Sequence, residues 1–154
     1  MKLLLELMKD SKQSDREISK TLGVSQPTIS RQRQSLTDNG IIQEFTVIPD
    51  FVKIGFQIMA ISSFKLKAVK NIEDLTKLMM KRPNVIFTAV GEGMGKNGIT
   101  VSIHRNYADF SKFISNLRAE GNDLINDLDS MLVSLENQVA KPLSLKYLAE
   151  LEET

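Results

Sequence analysis

The first forty residues contain several sequence signals for the beginnings and ends of helices. These signals constrain the fold more than any other feature of the chain. Ser14 and Glu17 have the S-x-x-E spacing of a capping box, which predicts a helix that begins at the next residue. Gly23 suits the left-handed position that ends such a helix, and Ser25 suits the cap of the following one, which Asn39-Gly40 ends. Two short helices joined through a tight glycine turn are typical of a helix-turn-helix.

The third helix of this region carries the candidate binding surface. A first helix is predicted over 2–9, and on an ideal wheel of ~100° per residue Ile29 and Leu36 of the third helix share its buried face. Its remaining surface consists of groups that donate to phosphates and base edges, with no carboxylate before Asp38. Arg can bond guanine twice, Gln can do the same for adenine, and Ser or Thr can bond either bases or phosphates. The candidate DNA-binding residues are Ser25, Gln26, Pro27, Thr28, Ser30, Arg31, Arg33 and Gln34.

The charge pattern agrees with this interpretation, although the net charge of +1 is nearly neutral. Residues 11–35 hold five basic and two acidic side chains, whereas residues 119–154 hold eight acidic side chains and two lysines. A basic front half favours contact with the phosphate backbone. For the front half, the alternative without a DNA-binding role is a helical bundle with a solvated polar face. For the acidic tail, the corresponding interpretation is a solvated helix.

The same residues resemble a known family. The motifs that carry the resemblance are Asp10-x-Lys12-x-Ser14, Leu22-Gly23-Val24-Ser25, Thr28-Ile29-Ser30-Arg31, Asn39-Gly40-Ile41-Ile42 and, later, Pro49-Asp50-Phe51. Together they resemble the Lrp/AsnC ("feast/famine") transcription regulators. The resemblance covers essentially the whole chain. It implies a winged-type helix-turn-helix, a linker strand, and a ferredoxin-like ligand domain that forms a homodimer, with dimers able to assemble further. It also implies that two symmetry-related helices recognise roughly palindromic double-stranded DNA.

Two positions depart from the family pattern. Gln32 stands where the family usually has Arg, and Arg33 stands where it usually has an aliphatic residue. Arg33 lies beside the Ile29/Leu36 stripe, so its stem can pack while its head reaches outward. Whether Arg33 contacts DNA or only closes the edge of the core is left open by the sequence.

The second half of the chain predicts an α+β fold with the element order β-α-β-β-α-β. Residues 41–48 read as a short linker strand, and strands are predicted over 56–66, 85–90, 99–104 and 129–136. Asn71 caps a predicted helix, a second opens at Asn106 or Tyr107, and a terminal helix is predicted over 143–151. This order is the ferredoxin-like pattern, whose sheet leaves one face free for a second subunit. The predicted domains are 1–42, a linker and hinge at 43–55, and 56–154.

A glycine-rich run from Gly91 to Gly98 contains a formal G-x-G-x-x-G. A dinucleotide fingerprint must lead into a helix, but a strand follows here, and Asn97 stands where a P-loop needs Ser or Thr. We therefore predict a flexible hairpin loop, longer than the one in the family. The resemblance places an amino-acid-like effector here, with Gly91, Glu92 and Asn97 as candidate contacts; a plain mobile loop is the alternative.

The sequence offers no set of residues that predicts an enzyme active site. His104 is the only histidine and Cys is absent, so no metal site, cofactor or nucleophile–base pair is predicted, and a single His that ends a strand is typically a packed or surface residue. No apolar run reaches the ~18–20 residues of a membrane span, and the start meets a charge too soon for a signal peptide, so we expect a cytoplasmic protein.

Three functions remain to be separated. The first is a dimeric transcription regulator. The second is a metabolite-binding or assembly module whose helical N-terminus binds a protein partner. The third is an enzyme that uses the ferredoxin-like domain, for which neither His104 nor the glycine run supplies a site.

Overall fold

The computed structural model of the chain describes residues 1–67 and 72–151. These residues form two compact units, one of Met1–Ile48 joined by the segment that starts at Lys141, and one of Pro49–Ala140. The helices are α1 Lys2–Lys9, α2 Asp15–Leu22, α3 Gln26–Asp38, α4 Ile72–Met80, α5 Tyr107–Glu120 and α6 Lys146–Ala149. The strands are β1 Ile58–Leu66, β2 Val85–Gly93, β3 Lys96–His104 and β4 Ile125–Ser134.

A small apolar core joins the three N-terminal helices. Leu3 and Leu7 of α1 are buried together with Ile18 of α2 and Ile29 of α3, and Leu36 packs against them. Leu4 and Met8 of α1, beside this stripe, are only partly buried. Helix boundaries follow the predicted caps closely, because each cap is a local contact within three or four residues.

The second unit has the ferredoxin-like arrangement predicted from the element order. Its four antiparallel strands lie in the order β2-β3-β1-β4. Side chains on one face of the sheet, including Ala60, Phe64 and Leu66, form a core with Leu75 of α4 and Leu117 of α5. Both helices therefore cover the same face of the sheet.

Polar side chains are also buried beneath these helices, and hydrogen bonds satisfy most of them. The Ser62 and Ser130 hydroxyl oxygens are 2.7 Å apart across β1 and β4, and the Thr88 and Thr100 oxygens are 2.8 Å apart across β2 and β3. Because buried polar groups without partners are costly, such pairs favour one strand register over its neighbours.

The centre of the opposite face of the sheet is apolar, and much of it is exposed in the described residues. Its central positions are Met59 and Ile61 of β1, which pair with Val133 and Met131 of β4. On the other side of β1, Ile61 pairs with Val101 of β3. Met131 keeps 67% of its surface exposed, and Phe87 of β2 keeps 55%.

Two expectations from the sequence are corrected by the structure, and a third falls outside the described residues. Residues 41–48 form no strand, because a strand needs a hydrogen-bonding neighbour and the described part of this single chain offers none there. The terminal helix is shorter than 143–151, and Ala149 within it is fully buried beside α1, so this segment packs with the first unit and not with the second. Asn71, the predicted cap of α4, lies outside the described residues.

Candidate nucleic-acid interface

The helix-turn-helix is built from two capped helices and one left-handed glycine. The Ser14 backbone N–H donates to Glu17 Oε2 at 2.7 Å, and the Glu17 backbone N–H donates to Ser14 Oγ at 3.3 Å, which completes the predicted capping box. The bond from the Ser14 backbone is the main reason that the pKa of Glu17 lies below its ordinary value. Gly23 ends α2 with φ of 67°, as the sequence predicted.

The first turn of α3 is held by its own side chains. Ser25 Oγ accepts the Thr28 backbone N–H at 3.4 Å and lies 2.8 Å from Thr28 Oγ1. Pro27 occupies the first turn, where it removes no helical hydrogen bond. Ser25 and Thr28 thus shape the entrance of α3, while Gln26 and Pro27 are exposed beside them.

Among the described residues, the exposed face of α3 carries one cation without a bonding partner, Arg31. Ile29 is fully buried, whereas Ser30, Arg31 and Gln34 are exposed on the other side of the helix. Across residues 1–67 and 72–151, no side chain or backbone group bonds the Arg31 guanidinium. The Gln34 amide Nε2 donates to Asp38 Oδ1 at 2.7 Å, which orients the amide along the helix and leaves Oε1 open.

Arg33 does not join this exposed face. Its Nε donates to Asp15 Oδ1 at 2.9 Å, its Nη2 lies 2.7 Å from the same oxygen, and Nη2 also donates to the Gln13 carbonyl at 3.3 Å. These contacts within the chain hold the guanidinium against α2, as expected of a side chain that closes the edge of the core. The selection of Arg33 as a DNA contact stays a prediction. Nothing in the periodicity of α3 could have revealed a partner 18 residues away.

The list of candidates from the sequence omitted Arg16 and Lys20 of α2. Both are exposed, and one helical turn separates them, so they lie on the same side of α2. The excess of basic residues over 11–35 was the available signal, but charge alone does not say which lysines and arginines share a surface.

The glycine-rich run forms a tight hairpin and not a long mobile loop. β2 extends to Gly93 and β3 begins at Lys96, so only Met94 and Gly95 make the turn, with φ of 54° and 73°. Positive φ at both central residues is the geometry that matches the twist of a two-residue hairpin. The run therefore encodes strand ends and a turn.

The three candidate effector contacts differ in exposure and in hydrogen bonding. Gly91 and Glu92 are exposed on β2. Asn97 is partly buried, and its Oδ1 accepts the Leu66 backbone N–H at 2.6 Å. The Asn97 side chain thus holds the end of β1, and its oxygen is already used.

His104 is packed in the core, which is one of the two places that the sequence left open for it. It has no exposed surface, its ring lies 4.9 Å from that of Phe113, and its Nε2 is 2.8 Å from Ser102 Oγ. Within the described residues, no group of three or more His, Cys, Asp or Glu side chains could hold a metal ion. Nor does any described helix have the length and apolar character to cross a bilayer.

A capped helix-turn-helix with an exposed arginine, joined to a ferredoxin-like domain with one open face, defines a two-domain DNA-binding regulator. A family model described as a winged helix-turn-helix DNA-binding domain matches residues 1–43. The HTH-type transcriptional regulator PH1692 of Pyrococcus horikoshii is 34% identical over 115 residues, covering 73% of this chain and 75% of that protein. FL11, an HTH-type transcriptional regulator of Pyrococcus furiosus, is 32% identical over 114 residues, covering 73% and 74%.

Two solved structures are similar over nearly the whole length. An AsnC family transcriptional regulator from Agrobacterium tumefaciens superposes with a TM-score of 0.76 at 19% identity, covering 96% of this chain and 95% of that one. The regulator NMB0573 of Neisseria meningitidis, in complex with L-Met, gives 0.75 at 20% identity with the same coverage. At such identity these two likenesses establish the fold. The chain belongs to the Lrp/AsnC family of transcriptional regulators, and it binds DNA through its helix-turn-helix.

Proposed function

We propose that α3 enters the major groove of double-stranded DNA and that Arg31 reads a base edge there. The observation that carries this proposal is the Arg31 guanidinium, exposed and unbonded within the described residues, on the face of α3 opposite Ile29. Ser30 and Gln34 lie on the same side and add donors and acceptors. A guanidinium offers guanine two parallel hydrogen bonds, which makes it the most informative group of this face.

The residues around Arg31 have supporting roles in this proposal. Gln26 and Pro27 lie in the first turn of α3, where backbone N–H groups favour a phosphate. Ser25 and Thr28 hold that turn through their mutual bonds. Arg16 and Lys20 of α2 supply further phosphate contacts that carry no sequence information.

The proposed regulator acts as a homodimer. The apolar face around Ile61, Val101 and Met131 supports this, because a second copy of the same face would bury it. Two copies then present two α3 helices to a palindromic site. Assembly of such dimers into larger oligomers stays a prediction from the family resemblance. A cytoplasmic location, where the protein would have access to chromosomal DNA, also stays a prediction.

An amino-acid-like effector is the least constrained part of the proposal. The similar regulator NMB0573 was solved with L-Met, and Gly91 and Glu92 of this chain are exposed on β2. Because Asn97 Oδ1 already accepts the Leu66 backbone N–H, we propose that Glu92 is the residue of this hairpin that makes a polar contact with the effector. A rise in melting temperature with one amino acid, lost in Glu92→Gln, would support the site; no rise with any of the twenty would remove it.

The experiment that tests DNA recognition compares two arginines. The wild-type chain is first used to select duplexes from a random pool, and binding of the selected duplex is then measured against salt concentration. Arg31→Ala is expected to weaken binding by about tenfold or more, since a good base contact contributes ~1–3 kcal/mol of discrimination. Arg105→Ala removes the same charge from an exposed position of the second unit, and it is expected to leave affinity unchanged.

Two outcomes would contradict this proposal. If Arg31→Ala binds as tightly and selectively as the wild type, Arg31 does not read the groove. If the wild-type chain selects no sequence and binds only at background level in low salt, the helical front is better explained as the binding surface for a protein partner.

A further inference from the structure

The Arg33 side chain joins the middle of α3 to the beginning of α2. Two of its nitrogens meet one carboxylate oxygen of Asp15, and one of them also reaches the Gln13 carbonyl in the connection before α2. The Arg33 and Asp15 side chains keep only 23% and 20% of their surface exposed. The ion pair is therefore partly withdrawn from water, where such a contact is stronger and more directional than at an open surface.

The apolar contact between the two helices does not set their relative rotation by itself. Ile18 and Ile29 are fully buried against each other's helices, but apolar contacts have no preferred direction. A guanidinium is a planar fork with fixed donor directions, so its bonds restrict both the rotation of α3 and its position along its axis. Arg33 supplies the directional element that this small core lacks.

Fixing Arg33 also determines where Arg31 points. Residues two apart on an α-helix are about 160° apart around the axis. When Arg33 is held against α2, Arg31 must therefore project from the opposite side of α3, away from the protein. Any rotation that released Arg33 would turn Arg31 by the same angle.

We propose that Arg33, together with Asp15, is a positioning residue for DNA recognition that makes no contact with DNA itself. This inference rests on the proposed role of α3 in the major groove. It accounts for an arginine beside an otherwise apolar stripe, where the residue type alone suggests a phosphate contact. It also assigns Asp15, an acidic residue in the DNA-binding half, a part in recognition.

Salt dependence separates positioning from direct contact. A residue that binds phosphate contributes about one unit to the slope of log affinity against log salt, and its removal lowers that slope. A positioning residue leaves the number of phosphate contacts unchanged, so its loss weakens binding at every salt concentration without changing the slope. It also relaxes base preference at the position that the misdirected side chain used to read.

The probe is the duplex selected by the wild-type chain, and the variants are Arg33→Met, Asp15→Asn and the double variant. Each single variant is expected to weaken binding about tenfold with an unchanged salt slope, and the double variant is expected to be no weaker than either. Arg33→Lys keeps a cation near Asp15 and is expected to restore part of the affinity. A repeat of the selection with Asp15→Asn is expected to show weaker preference at the base pair that Arg31→Ala also affects.

Contrary outcomes are equally specific. If Arg33→Met lowers the salt slope by about one unit while Asp15→Asn binds normally, Arg33 contacts phosphate and the inference is wrong. If both folded variants retain full affinity and base preference, the ion pair has no part in recognition. If Arg33→Met does not fold, the affinity and salt slope of the nearly isosteric Asp15→Asn variant are sufficient to test the inference. Loss of binding by Arg31→Ala in the same series shows that recognition by α3 holds whichever way Arg33 behaves.

Discussion

The ring of Phe64 occupies the space that any side chain at Gly98 would need. The two residues pair directly across β1 and β3, and a Cβ placed on Gly98 would lie 2.2 Å from Phe64 Cε2. Phe64 itself is fully buried in the core beneath α4 and α5. The last glycine of the G-x-G-x-x-G pattern thus serves packing within the protein.

Gly98→Ala is expected to lower the free energy of unfolding by about 1–3 kcal/mol, because the buried Phe64 ring has to move. Chemical denaturation measured by circular dichroism is the test. Gly93→Ala is the matched control, since it adds the same methyl group to the same hairpin where no atom lies within 4 Å. Equal stabilities of the two variants would show that the Phe64 contact is not as close as the structure has it.

His104 makes stability depend on pH in the neutral range. Burial lowers the pKa of the His104 imidazole below its ordinary value of 6.5, and the Asp109 carboxylate, 3.7 Å from Nδ1, opposes that shift only in part. The unfolded chain therefore binds a proton more readily than the folded one. Stability is fully present above about pH 6.5 and is lost as pH falls from there to the lower folded-state pKa.

Urea unfolding between pH 8 and pH 5 should show this loss, with a slope no steeper than ~1.4 kcal/mol per pH unit. His104→Gln is the informative variant, because its amide can keep a bond to Ser102 and does not titrate. We expect the variant to be nearly flat over this range. An identical pH dependence in both proteins would assign the effect to another group.

The exposed apolar face of the sheet predicts which substitution would dissociate the proposed homodimer. Met131→Glu places a carboxylate on the central part of this face, opposite Ile61, and symmetry places it in the interface twice. We expect the folded protein to become monomeric in sedimentation experiments, because an unpaired charge is costly to bury. Ser115→Glu, which adds the same charge to an exposed position of α5, should stay dimeric. A dimeric Met131→Glu would place the interface elsewhere.

The backbone conformation of Gly23 predicts which substitutions the turn between α2 and α3 tolerates. Its φ of 67° is unfavourable for residues with a side chain, although no atom lies within 4 Å of a Cβ there. Gly23→Ala should therefore cost ~1–2 kcal/mol of stability through backbone strain alone. Asn tolerates this conformation better, so Gly23→Asn is expected to melt at a higher temperature than Gly23→Ala. The reverse order of the two melting temperatures would contradict this explanation.

The parts of the fold that the sequence predicted correctly depend on contacts between near neighbours. The capping box of α2, the glycine that ends it and the cap of α3 all lie within a few residues of their partners, so residue types and spacing were sufficient. The strands of the sheet were found from their apolar patterns, with ends displaced by a few residues. The exposed face of α3 followed from helical periodicity, which placed Ser30, Arg31 and Gln34 opposite Ile29.

The features that the sequence could not show concern contacts between residues distant in sequence. Arg33 has the composition of a DNA contact but pairs with Asp15, and Asn97 looks like an effector ligand but bonds Leu66. Residues 41–48, predicted as a strand, have strand-like composition without a neighbour to pair with in the described chain. Ala149 returns to the first unit, although continuity of the chain suggested the second.

The sequence by itself determined the order of the main helices and the four strands of the sheet, where α2 and α3 begin and end, and which family the chain resembles. Only the tertiary structure decided which polar side chains remain available to a ligand. The physical reason is that propensity and capping act over a few residues, whereas a guanidinium or an amide takes whichever partner the fold brings within 3 Å. Arg31 and Arg33 are the same residue type two positions apart, and only the presence of Asp15 beside one of them separates their roles.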